Sequence, residues 1–414
     1  MCPSMDAASA MPAATGRSEW LLLASLYSTQ YLGLNFFVIA LVAILRAEGA
    51  GLETLGLVYL LGLVWPLKLF WAPLIDRIRF PRFGHYRGWL LLTQSLLVAT
   101  LLAIGQFSVV DDFAIVYALC FAVALIASTQ DIAVDGLACR LLQPEQRGLG
   151  NGLQVAGGLI GNLLGGGLML MMFPHIGWAG CMAALAGLTA ISLFQLIVFH
   201  EPSWPETTAR TARGLYRRAY DFWRKPGRGP WLMLLILVPA ASGMAYSVVT
   251  PLLVDRGWGP GELGLTVNVF GSIAGLAAAL ATGWWIGKTT RRNALLQGVV
   301  VQIGAALSIL PLVMGLGGDG IAIISVISYF LLYNPAAAVM STLMMDRAAV
   351  ESPATDFTLQ FSIYQFAAIA AMALGAYLAG ALGYAGLGFA ATAAAVLAAF
   401  LAWIFRTDTT GTSA

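Results

Sequence analysis

Long apolar runs recur along almost the whole chain, separated by short breaks that contain charges, proline or clustered glycine. A helix needs about 20 mostly apolar residues to cross a bilayer. We therefore predict an all-α membrane protein with twelve transmembrane helices, called spans below. The predicted spans are 20–45, 54–75, 88–108, 113–138, 150–172, 178–199, 231–254, 263–287, 294–315, 321–345, 357–382 and 387–405.

The longest polar stretch, 200–230, divides these spans into six and six. A weak internal repeat supports two related halves. A basic segment followed by an apolar one ends in Gln94, and the same order of segments ends in Gln297, 203 residues later. The predicted organisation is a disordered tail (1–18), a six-helix bundle (19–199), a linker (200–230), a second six-helix bundle (231–406) and a short tail (407–414).

The basic residues predict the orientation, since short cytoplasmic loops are enriched in Lys and Arg. With the amino terminus inside, the cytoplasmic ends of the spans hold 19 of the 22 basic residues, and the opposite side holds only Arg46 and Arg256. The remaining one, Lys68, lies within a span. We expect both termini, the linker and the tails in the cytoplasm.

Composition agrees with a membrane protein and argues against an enzyme. The chain is 59% hydrophobic and 10% charged, against about 25% charged residues in soluble proteins. Its four cysteines form no CxxC pair, its three histidines lie far apart, and neither HExxH nor GxxxxGK[ST] occurs. We expect no disulfide, metal site, cofactor, ATP hydrolysis or nucleic-acid partner. The expected partners are lipid and a small-molecule substrate, with the chain working as a monomer.

Three ionisable residues fall inside predicted spans, where a central charge costs about 2.5 to 3.5 kcal/mol. Lys68 on span 2 and Asp131 on span 4 each precede a cytoplasmic arginine by nine residues, so they lie at similar depth and can pair. Asp135 follows Asp131 by four residues and shares its helix face. Two interpretations remain open: a structural charge network that holds the cytoplasmic gate, or a carboxyl group that takes up a coupling proton.

Polar and aromatic side chains form stripes on spans 1, 7, 10 and 11. Such faces avoid lipid and point inward, where they either bond to neighbouring helices or line a cavity. Because four spans carry stripes, we favour a cavity. Its candidate substrate-binding residues are Tyr27, Gln30, Tyr31, Asn35, Tyr246, Tyr329, Tyr333, Asn334, Tyr364 and Gln365, and the same stripes contain Ser242, Thr250, Ser325 and Gln360. Dense glycine in span 5 predicts tight helix packing there.

Four ordered strings in the first half resemble the muropeptide permease and acetyl-CoA transporter branch of the major facilitator superfamily, whose plan is two parallel six-helix repeats. They are KLFWAPLIDR (68–77), RGWLLLTQ (87–94), STQDIAVD (128–135) and PEQRG (144–148). The resemblance implies a cytoplasmic gate containing Asp76, Arg77, Arg140 and Arg147. Pro73 stands where the usual gate motif has glycine.

Within that branch, the start of span 1, QYLGLNFF (30–37), is most similar to single-chain siderophore permeases such as those for rhizobactin and pyochelin. This resemblance implies inner-membrane import of an iron–siderophore complex, ferric pyochelin, by alternating access driven by protons. A muropeptide-type solute permease and a drug or siderophore exporter remain as alternatives. GNLLGG (161–166) is similar to a motif of drug antiporters, but Asn162 replaces its proline.

Overall fold

The computed structural model describes residues 15–49, 51–202, 204, 212–224 and 228–405. Ten helices in these ranges are long and apolar enough to cross a membrane, and two of them have 52 residues each. A straight helix of that length would measure about 78 Å, against a hydrocarbon core of about 30 Å. Both long helices are broken at a glycine with left-handed φ, Gly177 (65°) and Gly383 (72°), where a side chain would be strained. The described helices therefore make twelve spans.

The boundaries of the twelve spans lie within four residues of the predicted ones. Their bounds are Arg17–Ala47, 52–77, Tyr86–Ile104, Phe113–Leu141, 147–176, 178–198, Arg228–Asp255, Gly261–Ile286, Arg291–Val313, Asp319–Arg347, 353–382 and 384–404. The agreement is close because no water in the bilayer core can satisfy a bare backbone group, so an apolar run of this length folds as a helix.

Part of the predicted linker is a helix, which the sequence analysis missed. Ala212–Arg224 forms this linker helix, and it contacts the end of span 2, span 7 and the helix that contains span 11. Positions 216, 220 and 223 of the sequence are aromatic, and this spacing predicts one face of a helix. Residues 1–14, 203, 205–211, 225–227 and 406–414, which hold most of the predicted tails, lie outside the described residues. The predicted first tail also overlaps span 1, which begins at Arg17.

Glycines bring span 5 close to span 1; the sequence predicted tight packing of span 5 but not which span it contacts. An added Cβ on Gly157 or Gly165 would collide with the backbone of span 1, and one on Gly161 would collide with Tyr31. Spans 1, 5 and 8 each contain a stretch of π-helix, and the π-helix of span 5 contacts both others. The close backbone approach that these glycines allow therefore holds span 1 against span 5.

Spans 1–6 contact one another extensively, and so do spans 7–12. Between these halves, span 5 packs on spans 8 and 10, while spans 2 and 4 pack on span 11. Arginines cluster at one end of the spans, which we call the basic end and define by Arg77, Arg140, Arg147, Arg291 and Arg347. The spans that meet across the halves surround a cluster of buried charges and a central cavity.

Candidate functional site

Lys68, Asp131 and Asp135 form a cluster of charges that is fully buried between spans 2 and 4. Lys68 lies in a 3₁₀ turn of span 2, between Pro66 and Pro73. Its Nζ forms an ion pair with Oδ2 of Asp131 and lies 4.0 Å from Oδ2 of Asp135. The cluster thus contains two carboxyl groups and one ammonium group, and one proton on a carboxylate would make it neutral.

Three neutral side chains donate hydrogen bonds to these carboxylates. Gln30 Nε2 donates to Oδ1 of Asp131 at 2.6 Å. Tyr27 Oη and Gln154 Nε2 both donate to Oδ1 of Asp135, at 3.1 and 2.8 Å. Oδ2 of Asp135 has no hydrogen-bond partner among the described residues. Sequence reasoning did not single out Gln154, because a lone glutamine on a glycine-rich helix carries no distinguishing pattern.

A central cavity of about 410 Å³ lies between the two halves. Spans 1 and 5 line it from the first half, and spans 7, 10 and 11 line it from the second. Its polar and aromatic lining residues are Tyr31, Asn35, Gln154, Asn162, Ser242, Tyr246, Tyr329, Phe330, Tyr333, Asn334, Ser341, Phe361, Tyr364 and Gln365. None of the described residues in its wall is Asp, Glu, Lys, Arg or His.

Aromatic rings make up much of the wall on the side of the second half. Tyr329 stacks on Tyr246 and Tyr333, with ring centroids 5.9 and 4.9 Å apart, and its hydroxyl donates to the carbonyl of Ser242 at 2.9 Å. Phe361 and Tyr364 stack one turn apart on span 11. These contacts hold the rings rigid, so they present flat apolar faces to the cavity.

The cavity wall also offers unused hydrogen-bond acceptors. Oδ1 of Asn334 and Oε1 of Gln154 are buried without a partner among the described residues. The amide nitrogen of Asn334 is held by the carbonyl of Phe330 at 2.6 Å, and that of Gln154 by Asp135. One N–H of each amide makes these bonds, so each side chain is anchored with an acceptor oxygen that has no partner among the described residues.

Gln154 and Phe361 connect the cavity to the buried charges. Gln154 lines the cavity and bonds to Asp135. Phe361 also lines the cavity, and Nζ of Lys68 lies 4.8 Å from the centre of its ring. The charge cluster of the first half therefore contacts a cavity residue of the second half directly.

Eight of the ten predicted substrate-binding residues line this cavity. The other two, Tyr27 and Gln30, do not line it and bond to the carboxylates of span 4 instead. Among the other stripe residues, Thr250 is exposed, and Gln360 is buried with its Oε1 bonded to Trp231. Among the described residues, no group of three or more His, Cys, Asp or Glu side chains could hold a metal ion.

Asp76 closes the basic end by accepting hydrogen bonds from the first turn of span 11. Its carboxylate accepts from the backbone N–H of Thr355 at 2.7 Å, from the Thr355 hydroxyl at 2.6 Å and from the N–H of Ala354 at 3.4 Å. Tyr86 donates to the same carboxylate at 2.7 Å. A carboxylate from one half thus satisfies the helix N-terminus of the other half, where negative charge is stabilising.

Arginines add further contacts between the halves at this end. Arg147 pairs with Asp346 across the halves at 3.0 Å, and Arg140 donates to the carbonyl of Val350 at 3.2 Å. Arg291 pairs with Asp346 within the second half at 2.6 Å and donates across the halves to the carbonyl of Pro144. Within the described ranges, most of the hydrogen bonds between the halves lie at this end, and the bond from Asn162 to Ser272 lies elsewhere. Arg77, which was predicted at the gate, is exposed, and none of these contacts involves it.

Comparison with known proteins agrees with this architecture. A family model described as Major Facilitator Superfamily matches residues 22–371. The anhydromuropeptide permease of Escherichia coli K12 is 29% identical over 261 residues, which cover 62% of this chain and 53% of that permease. An AmpG 4 transporter of Rickettsia felis is 26% identical over 232 residues, covering 53% of this chain and 56% of the relative. The chain spans about half the length of these curated relatives.

A solved structure of FucP, a transporter of the same superfamily in the outward conformation, superposes with a TM-score of 0.69. It covers 94% of this chain and 100% of FucP at 12% identity, so it supports the fold alone. The predicted muropeptide permease branch agrees with the named relatives. The finer resemblance to siderophore permeases receives no support from them.

Proposed function

Because this chain belongs to the major facilitator superfamily and is a multi-pass transporter, we propose that it imports a small solute across the bacterial inner membrane by alternating access. The observation that carries the proposal is a cavity that is lined by both halves and closed at the basic end. The charge distribution supports a cytoplasmic basic end. In this orientation the closed end of the cavity is the cytoplasmic one.

The orientation can be tested by topology reporters. A fusion at Arg213, in the linker helix, is expected to report the cytoplasm, and one at Asp319, which begins span 10, the periplasm. Reporter activity that assigns Arg213 to the periplasm would reverse the orientation, and the closed end of the cavity would then face the periplasm.

The substrate best supported by the relatives is a muropeptide-type solute, an amino sugar that carries a short peptide. Aromatic faces such as Tyr333 and Tyr364 suit stacking against sugar rings, and the acceptor oxygens of Gln154 and Asn334 suit amide N–H donors. The volume of about 410 Å³ lies within the usual range for small-molecule sites. One half of this solute, the amino sugar, is thus well matched by the cavity wall.

A second candidate is a ferric siderophore with aromatic rings, and one observation favours it. No described residue of the cavity wall is a cation that could pair with the carboxylates of a peptide. Five tyrosines and two phenylalanines instead line the cavity, and rings of this kind suit a ligand of low charge that itself contains rings. The iron would be cargo within the complex.

Proton coupling is proposed at the buried charge cluster. With two carboxyl groups and one ammonium group, the cluster is neutral only when it holds a proton, and Oδ2 of Asp135 is the oxygen without a hydrogen bond. A ligand that bonds to Gln154 would alter the donor available to Asp135. Substrate binding and proton binding would then be linked through one side chain.

The two substrate candidates separate in one experiment. Purified protein in liposomes is supplied either with a radiolabelled anhydro-muropeptide or with iron-55 pyochelin, with and without an inward proton gradient. Accumulation of only one compound identifies the substrate, and stimulation by the gradient supports import by proton coupling. Empty liposomes and a Tyr333→Ala/Tyr364→Ala variant are the controls. Accumulation of neither compound would reject both candidates.

A further inference from the structure

A second cavity, of about 320 Å³, lies at the basic end and is separate from the central one. Its wall comes from both halves: the end of span 4, the start of span 5 and Trp204 on one side, and the segment between spans 10 and 11 on the other. The lining residues that matter here are Cys139, Arg140, Arg147, Trp204 and Val350. We call this space the basic cavity.

Two guanidinium groups line the basic cavity, and each has a donor without a partner among the described residues. Arg140 lies near two aromatic rings, 5.3 Å from that of Trp204 and 5.9 Å from that of Tyr86. Its one hydrogen bond within the described residues goes to a neutral carbonyl, that of Val350. The Nε atoms of Arg140 and Arg147 are both buried without a partner in this part of the chain.

Three carboxylates near the basic cavity have hydrogen-bond or ion-pair partners other than Arg140. Asp346 is shared by Arg147 and Arg291. Asp76 accepts from Tyr86 and from the start of span 11. Glu201 accepts from the backbone N–H groups of Tyr86 and Arg87, at 3.1 and 2.8 Å. Within the described ranges, no carboxylate forms an ion pair with Arg140.

We propose that the basic cavity binds a phosphate-bearing anion, and that the bound anion holds the two halves together at the basic end. Planar guanidinium groups with free donors match phosphate oxygens in geometry and charge. The cavity has walls from both halves only while this end is closed. A ligand that binds one conformation better than another shifts the population toward it. The bound anion therefore stabilises the conformation that is closed at the basic end, independently of the transported substrate.

The anion has two sources of the same chemistry. It is either free phosphate, or a phosphomonoester, in the compartment at the basic end, or the phosphate of an anionic lipid headgroup in the adjacent leaflet.

Cys139 lines the basic cavity and provides a direct readout. It is partly exposed, whereas Cys120 and Cys181 are buried. In a Cys2→Ala/Cys120→Ala/Cys181→Ala background, the rate of maleimide labelling at Cys139 is measured in detergent with and without inorganic phosphate. At a phosphate concentration ten times the dissociation constant, the rate is expected to fall about tenfold. Sodium chloride of equal ionic strength serves as the control, and equal protection by chloride would overturn the proposal.

Variants then test the guanidinium group itself. Arg140→Gln is expected to abolish protection by phosphate, while Arg292→Gln, an exposed arginine at the same end, is expected to retain it. Should Arg140→Gln fail to fold, Arg140→Lys keeps the charge but loses the planar fork and is expected to require severalfold more phosphate. Wild-type protection in either Arg140 variant would overturn the assignment.

Reconstituted full-length protein separates the two sources. Protection in phosphatidylglycerol vesicles without added phosphate identifies a lipid headgroup. Protection in phosphatidylcholine vesicles that requires added phosphate identifies the free anion. Labelling at the same rate under all these conditions would overturn the proposal. None of these readouts uses a transported substrate, so the outcome does not depend on the proposed function.

Discussion

Breaking the Lys68–Asp131 pair is expected to damage the protein asymmetrically. Lys68→Met leaves Asp131 and Asp135 buried together with no ammonium group. Asp131→Asn leaves Lys68 with Asp135, whose Oδ2 is already 4.0 Å away. At 4 Å two unit charges still attract by about 4 kcal/mol at an effective dielectric constant of 20. The lysine substitution should therefore be the more harmful of the two.

The expected magnitudes follow from the complete burial of both partners. Removing one member of a buried pair typically costs about 3 to 5 kcal/mol. We place Lys68→Met near the upper end of that range and Asp131→Asn at or below the lower end. The double variant leaves only Asp135, which a single proton can neutralise. Its loss of unfolding free energy should therefore be smaller than the sum of the two single losses by about 1 to 3 kcal/mol.

The assay is reversible unfolding of the purified variants in mixed micelles, with proton-driven uptake measured in parallel. Lys288→Met is the matched control, because Lys288 is an exposed lysine placed over the ring of Trp284; an exposed contact of this kind contributes about 0.5 to 1 kcal/mol. If the losses of unfolding free energy of the two single variants add up to that of the double variant within about 0.5 kcal/mol, the coupling is refuted. A Lys68→Met variant no less stable than Asp131→Asn would refute the role given to Asp135.

Two further predictions concern the link to the cavity and the closure at the basic end. Gln154→Leu removes a donor to Asp135 and an acceptor from the cavity, so we expect a raised KM and weaker stimulation of uptake by a proton gradient. Substitution of an exposed glutamine, Gln106→Leu, is the control. An unchanged response to the gradient in Gln154→Leu would contradict the link. Gly152→Val places a Cβ about 2.8 Å from the carbonyl oxygen of Ala279 on span 8, so the basic end should open and Cys139 should react faster with maleimide. Gly187→Ala, where nothing lies within 4 Å, should leave that rate unchanged, and wild-type reactivity in Gly152→Val would contradict the proposed closure.

The sequence alone determined the spans and the depth of the buried charges. Water is absent from the bilayer core, so an apolar run has only the helix as a stable conformation, and its length follows from the membrane. The nine-residue spacing of Lys68 and Asp131 from their arginines is likewise a local quantity, since helical rise converts it directly into depth. The pairing of these residues could therefore be predicted without a structure.

The tertiary structure decided which inward-facing residue meets which neighbour. At 100° per residue, Tyr27 and Gln30 lie on one side of the inward face of span 1, and Tyr31 and Asn35 on the other. The first two meet the carboxylates of span 4 and the second two meet the cavity. A helical pattern separates lipid-facing from inward-facing positions, but the rotation of the helix against its neighbours is set by packing. Here span 5 sets that rotation, through glycines that admit the backbone of span 1, and the same contact brings Gln154 between Asp135 and the cavity.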